Sequence, residues 1–410
     1  MKKILCIFLV IALALTFVAC GTQIDDIPAD DTNKDNVENT PETEENNEPD
    51  APDGYPFELG FIEDNGLEYI WEQLDEDTRY NLGEIMNAIR KVDVYCSLSV
   101  GLPQEELSEF LELVSNCSTA YTYTGNRFKG HTDDSGRIVG ITLSYKVDYV
   151  EEAARRTEAL MSAIEHAVAN VPDGSDYEKI KYLHDFLVLN CDYNEDATSP
   201  FTAFGALVEG RATCQGYADA MHLLLTKAGF DTVFTTGIGD SAAVKHKWNY
   251  VKTSDGTWYI VDPTWDDPKG KEDKSYIAYD YFMISEQMLL TDHQETFVSP
   301  YYTLPAAESM ELNYHIVSGY YASNFDEVVS IIKAQATEAV KNGEKYIYLR
   351  CADKTLFDEA NEKLFQGDYE MQKILIDVKD ETGVDSLVTN SWTKVVKEGP
   401  CTMTITIKYE

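Results

Sequence analysis

The chain is short of positive charge. Its 410 residues include 33 lysines and arginines against 72 aspartates and glutamates, for a formal net charge of −39. Nucleic-acid phosphates are bound by Lys and Arg, so this balance excludes a nucleic-acid partner; an anionic lipid surface would repel the chain as well. There is no CxxC pair, no Cys/His spacing of a zinc site and no phosphate-binding loop, so no cofactor and no metal is implied. Long apolar runs are scarce: Ile4–Ala19 is the one candidate, and it is short for a membrane span. The hydrophobic share of 44% is ordinary, and the length suits two or three domains.

The apolar run follows Lys2 and Lys3, the layout of an export signal. It ends in Phe17-Val18-Ala19-Cys20-Gly21. This resembles the bacterial lipoprotein cleavage box, whose cysteine becomes the lipidated first residue; the match departs at Phe17, where leucine is usual. The resemblance implies a signal peptide over 1–20, lipidation at Cys20, and a chain anchored in the cell membrane and facing the extracellular side. Residues 21–54 are rich in Asp, Glu, Asn, Thr and Pro, and 24–54 hold one Lys and no aromatic residue. Such a segment cannot bury enough surface to offset chain entropy, so a disordered acidic tether is expected. Six cysteines remain beyond the signal. They give no disulfide framework, although an outside location would permit a bridge such as Cys96 to Cys117.

Order is expected from about Tyr55, in three regions: 55–172, 173–305 and 306–410. The first reads as a helix over 74–90, a strand over 92–100, a helix over 103–117, strands over 119–130 and 137–147, and a helix over 149–170. The last reads as strands over 315–321, 345–351, 386–396 and 402–409, with helices over 326–341 and 354–365. Both regions run strand, helix, strand, strand, which raises the possibility of a diverged repeat around the middle region.

The chemistry concentrates in the middle region. Cys214 stands in Gly210-Arg211-Ala212-Thr213-Cys214-Gln215-Gly216-Tyr217-Ala218, just before apolar residues at helical spacing (Ala218, Met221, Leu224, Leu225, Ala228). That puts the cysteine at a helix N-terminus, where free N–H groups and the dipole favour a thiolate. A thiolate needs a base, and the base needs an orienting group. His246 lies in a strand-like run, 244–252; Thr253-Ser254-Asp255-Gly256 is a turn, and 257–262 returns as a strand. A hairpin centred near Ser254 sets His246 directly opposite Asp262, close enough for an imidazole–carboxylate hydrogen bond.

These blocks, with Trp248-Asn249 after the histidine and Val261-Asp262-Pro263-Thr264-Trp265-Asp266 around the aspartate, look like the transglutaminase-like superfamily. The resemblance covers about 176–268. It implies an α+β, papain-like transglutaminase core with smaller α/β regions flanking it. It further implies Cys214 as nucleophile on protein or peptide amides, His246 as proton acceptor and donor, and Asp262 as its orienting partner. The family spans crosslinking enzymes, peptidases, amidases and non-catalytic members. Tyr193 is an oxyanion candidate beside the Cys214 N–H, and Gln215, Trp248 and Trp265 are candidates for a substrate groove. His184 and His222 read as satisfied helix histidines, Tyr217 as packing behind the cysteine helix, Lys245 and Lys247 as solvent-facing. Asp266-Asp267 and Glu272-Asp273 lack the glycine of a calcium loop and read as solvated acids.

Overall fold

The structure, a computed structural model, describes residues 55–147, 150–239, 244–268, 276–367 and 369–410. Cys20, the signal segment and the tether lie outside the described residues, as do Glu272 and Asp273. Helix and strand are mixed throughout, in an α+β arrangement.

The N-terminal region opens on two short helices, Gly60–Asn65 and Glu68–Trp71, followed by α1 (Glu76–Lys91). Asp75 caps it by accepting from the Thr78 N–H, and acids in the first turn and bases in the last complement its dipole. Strand β1 (Tyr95–Pro103), helix α2 (Leu107–Cys117) and strands β2 (Thr124–Thr132) and β3 (Arg137–Tyr145) follow. The sheet order is β1-β3-β2, antiparallel. The first strand starts later than expected: the chain leaves α1 through Val92 in a left-handed conformation, and Val94, whose carbonyl accepts the Leu143 N–H at 3.0 Å, is exposed. Helix α3 (Val150–Val168) leads into the middle region.

There, α4 (Asp176–Asn190) starts at a capping box between Ser175 and Glu178. Helix α5 (Cys214–Lys227) packs on a five-stranded antiparallel sheet of β4 (Thr232–Gly239), β5 (Val244–Lys252), β6 (Trp258–Val261), β7 (Phe282–Ile284) and β8 (His293–Glu295), in the order β8-β4-β5-β6-β7. Buried apolar residues of the N-terminal and middle regions form one continuous core, and those from Ala322 onward form a second.

The C-terminal region has α6 (Phe325–Asn342), β9 (Tyr346–Cys351), α7 (Lys354–Phe365), α8 (Glu370–Thr382), β10 (Leu387–Lys397) and β11 (Thr402–Tyr409). Its three long strands pair β9-β11-β10, antiparallel. Both flanking regions thus place their third long strand between the first two, the strand order a diverged repeat would keep. One expectation fails here, and one helix was not expected. Residues 314–317 form a helical turn capped by Asn313, leaving only 321–322 as strand. Helix α8 had no counterpart in the sequence reading, although Met371, Ile374, Leu375 and Val378 bury one of its faces.

Candidate active site

Cys214 is the first residue of α5, and Thr213 is its N-cap in extended conformation. Thr213 spends both its N–H and its hydroxyl on the carbonyl of Pro200, at 2.8 and 3.1 Å, which pins the loop before the helix. Gly216 lets that loop press on the first turn. A Cβ at 216 would lie 2.8 Å from the Thr202 carbonyl oxygen, 2.9 Å from that of Pro200 and 2.6 Å from the Ala212 Cβ. Cys214 is half-buried, whereas the other five described cysteines, Cys96 and Cys117 included, are buried free thiols. Burial pushes Cys96, Cys191 and Cys351 up to about 12, so Cys214 is the accessible thiol among the six.

Cys214 Sγ lies 4.0 Å from the carbonyl oxygen of Lys245, the residue before His246, and the sulfur favours the charged His246 ring. On the other side of the ring, His246 Nε2 is 2.5 Å from Asp262 Oδ2. The pairing differs from the expected one. Residues of β5 and β6 pair as Asn249 with Val261 and Lys252 with Trp258, so the hairpin centres on Asp255, not Ser254. Gly256, at φ +90°, closes the turn. Asp262 therefore sits just past the ladder, diagonal to His246 but on the same face, since the shift is an even number of positions. It is held from behind as well: its Oδ1 accepts the N–H groups of Thr264 (3.0 Å) and Trp265 (3.2 Å). Burial opposes the imidazolium, but the Asp262 carboxylate outweighs it and pushes His246 up to about 10; Asp262, despite burial, is held well below the usual carboxylate range by His246. The carboxylate thus favours the charged form of the imidazole that faces the nucleophile's end of the site.

Residues 165–263 match the family described as the transglutaminase-like superfamily. That segment is a transglutaminase-like core. It contains Cys214, His246 and Asp262 and ends directly after the aspartate. Among solved structures, a candidate cysteine protease from Cytophaga hutchinsonii aligns at 16% identity over 33% of this chain and 61% of its own, with TM-score 0.23. A structure described as a TGase aligns at 12% identity over 44% and 52%, TM-score 0.26. The periplasmic domain of TgpA from Pseudomonas aeruginosa aligns at 19% identity over 32% and 56%, TM-score 0.20. The chain thus spans between half and two thirds of each of these proteins. No curated protein matches.

The remaining candidates divide. Tyr193 is half-buried on a two-residue strand (Asp192–Tyr193) paired in parallel with Arg211–Ala212; its hydroxyl donates to Glu195 Oε1 at 3.4 Å, and burial and then the Cys214 charge push it up to about 12. Gln215 is half-buried on the first turn of α5. Trp265 is half-buried and covers the imidazole, its ring centroid 5.7 Å from that of His246. Trp248 is fully buried, 5.8 Å from the same ring, and cannot line an open groove; it is core beneath the site.

Several acids and bases were misread as solvated. Lys247 is buried, its Nζ 2.5 Å from Asp219 Oδ1 on α5. Asp266 is buried, accepts the Tyr281 N–H at 2.9 Å and lies 3.2 Å from His184 Nε2. Asp267 takes the Tyr217 hydroxyl hydrogen bond, at 2.5 Å. His184 and His222 are each hydrogen-bonded at one ring nitrogen only, His184 Nδ1 to Asp185 at 3.1 Å and His222 Nε2 to the Asn65 carbonyl at 2.7 Å; His222 Nδ1 is buried without a hydrogen-bond partner. One residue of the site carried no sequence signal at all. His293, at the start of β8, brings its Nε2 to 3.7 Å from Asp262 Oδ2. His246, Asp262 and His293 offer three ligand atoms within 4.8 Å of one another. The His246–Asp262 contact is closed as a hydrogen bond, however, and an ion about 2.0–2.1 Å from both atoms would have to part them. The cluster reads as a hydrogen-bonded acid–base group.

Proposed function

We propose that this chain is a cysteine acyl-transfer enzyme acting on protein or peptide amides, exported and anchored through a lipidated Cys20 at the outer face of the cell membrane. The observation that carries the chemistry is the line Cys214–His246–Asp262, with one thiol accessible, one imidazole against it, and a carboxylate on the far ring nitrogen. The Cys214 thiolate adds to the amide carbonyl carbon. The backbone N–H at the start of α5 donates to the oxyanion, with the Tyr193 hydroxyl as second donor. The C–N bond then breaks, the His246 imidazolium gives its proton to the leaving amine, and a thioester on Cys214 remains. An amine or a water, deprotonated by His246, attacks that thioester and restores the thiol. An amine acceptor makes the protein a transglutaminase; water makes it a peptidase or amidase. All three residues are present, which speaks against a scaffold that has kept only the fold. The export signal and cleavage-box sequence support the location.

The test supplies a glutamine-containing peptide and a fluorescent primary amine to the full chain and to Cys214→Ala. Amine incorporation that is lost in Cys214→Ala supports transfer. Free acid without incorporation assigns hydrolysis. No thioester, no turnover and no Cys214-dependent labelling across a panel of peptide amides would overturn the enzymatic reading.

A further inference from the structure

His293 lies beyond the segment matched to the family, yet it shares the carboxylate that orients His246. Its side chain is fully buried, with Nδ1 2.7 Å from Asp292 Oδ1 and Nε2 3.7 Å from Asp262 Oδ2. Both ring nitrogens thus face carboxylates, and a neutral imidazole can donate to only one of them. Aromatic rings seal it: Trp265 at 4.2 Å between centroids, Trp248 at 5.5 Å and Tyr281 at 5.3 Å. The His246 ring is 5.5 Å away.

We propose that His293 is held as an imidazolium between Asp262 and Asp292, and that its charge limits how tightly His246 keeps a proton. This deepens, and rests on, the reading of Cys214–His246–Asp262 as an acyl-transfer site. With Asp262 as its only charged neighbour, His246 would hold its proton against the leaving amine. A second cation on the same carboxylate opposes that proton and makes it easier to give up. His293 is therefore a positioning residue that acts through Asp262 and the local field. Burial disfavours its charge, and the two carboxylates outweigh burial.

The other charged groups facing His293 are few. Asp292, its sequence neighbour, also accepts the Tyr281 hydroxyl at 2.6 Å. Lys397, from β10, lies 4.7 Å over the Tyr281 ring and 3.0 Å from Asp280 Oδ2, so its charge is already paired. Glu295, two residues on, is turned to the Tyr250 hydroxyl at 2.9 Å. The backbone at Gly399 closes over Asp292, where a Cβ would come within 2.4 Å of Oδ2. The C-terminal region thus seats the Asp292 end of the group.

The test is a ring-nitrogen NMR titration of histidine in the full chain. The expected result is His293 with protons on both nitrogens at pH 7. A neutral His293 at that pH overturns the proposal without any variant. Two unit charges 5.5 Å apart interact, at an effective dielectric near 20, by the equivalent of about two pH units. His293→Gln and His293→Phe should each raise the His246 midpoint by roughly one to two units. An unchanged midpoint, or one that falls, would show His293 to be packing only. Because neither readout needs turnover, an inert Cys214 would remove the enzymatic reading while leaving this one to be decided by the titration.

Discussion

The pair Lys247–Asp219 ties the nucleophile to its base. Asp219 sits on α5 five residues after Cys214, and Lys247 follows His246 directly on β5. The two charged atoms are 2.5 Å apart, and both side chains are less than a tenth exposed. Beside them the Asn249 side chain donates to the Ala218 carbonyl at 2.9 Å, and Lys247 lies 3.4 Å over the Phe234 ring. Lys247→Ala leaves a buried carboxylate with no counter-charge, which costs about 3–5 kcal/mol. Against a typical stability of about 5–15 kcal/mol that is a large fraction, and it should lower a urea midpoint by more than about 1 M. The pH dependence has a definite sign. Burial already pushes the Asp219 carboxyl up, with Lys247 opposing. Without Lys247 the folded-state value rises further above the unfolded one, so the destabilisation grows as pH rises through the usual carboxylate range and is relieved by acid. Asp219→Leu combined with Lys247→Met removes both charges and should be neutral, or more stable by up to about 4 kcal/mol. The assay is urea unfolding followed by tryptophan fluorescence at pH 5 and pH 8, for both singles and the double. Singles that each cost less than about 1 kcal/mol, or singles whose costs simply add in the double, would refute the reasoning.

Gly216→Ala drives a Cβ into two backbone carbonyls that cannot swing away; it should cost about 1–3 kcal/mol and slow Cys214 alkylation, and an unchanged melting temperature would contradict the packing described. Lys397→Met strips the buried Asp280 of its nearest cation and removes the 3.0 Å hydrogen bond to the Trp265 carbonyl. About 3 kcal/mol or more should be lost, and protease cleavage between the two cores should quicken; calorimetry and limited proteolysis check both. Asp262→Asn removes the group that raises His246. The stability this interaction gives is present below the ordinary histidine value near 6.5 and lost as pH rises through the folded value of about 10, so wild type and variant should differ most near pH 6 and converge above pH 10.

The triad was legible because its chemistry is local. Turn residues on either side of Cys214, His246 and Asp262 fix their elements, and the face on which a strand residue sits survives an even shift in register. The exact register was not legible: a turn centred at Ser254 or at Asp255 looks the same in sequence, and Gly256 at positive φ chooses the second. Lys247 was misread because β5 is covered on both faces, by α5 and by the aromatic residues around Trp248 and His293, so alternation carries no exposure signal there. Asp266 and Asp267 were misread because their partners, His184 and Tyr217, come from distant helices. His293 has no periodic or motif context, and only the pairing of β8 with β4 brings it to Asp262. Helix α8 was legible in its apolar spacing and was not read.

The central claim is that Cys214 is the nucleophile and His246 the base that activates it. Limiting iodoacetamide at pH 6, followed by mass spectrometry of the intact full chain, tests it directly. Alkylation selects the thiol that is both accessible and assisted by a neighbouring base. The account predicts a single adduct, on Cys214, formed at least about tenfold faster than on a cysteine-containing peptide and reduced to the peptide rate in His246→Ala. Equal rates for Cys214 and the peptide, or a rate that His246→Ala leaves unchanged, would contradict it.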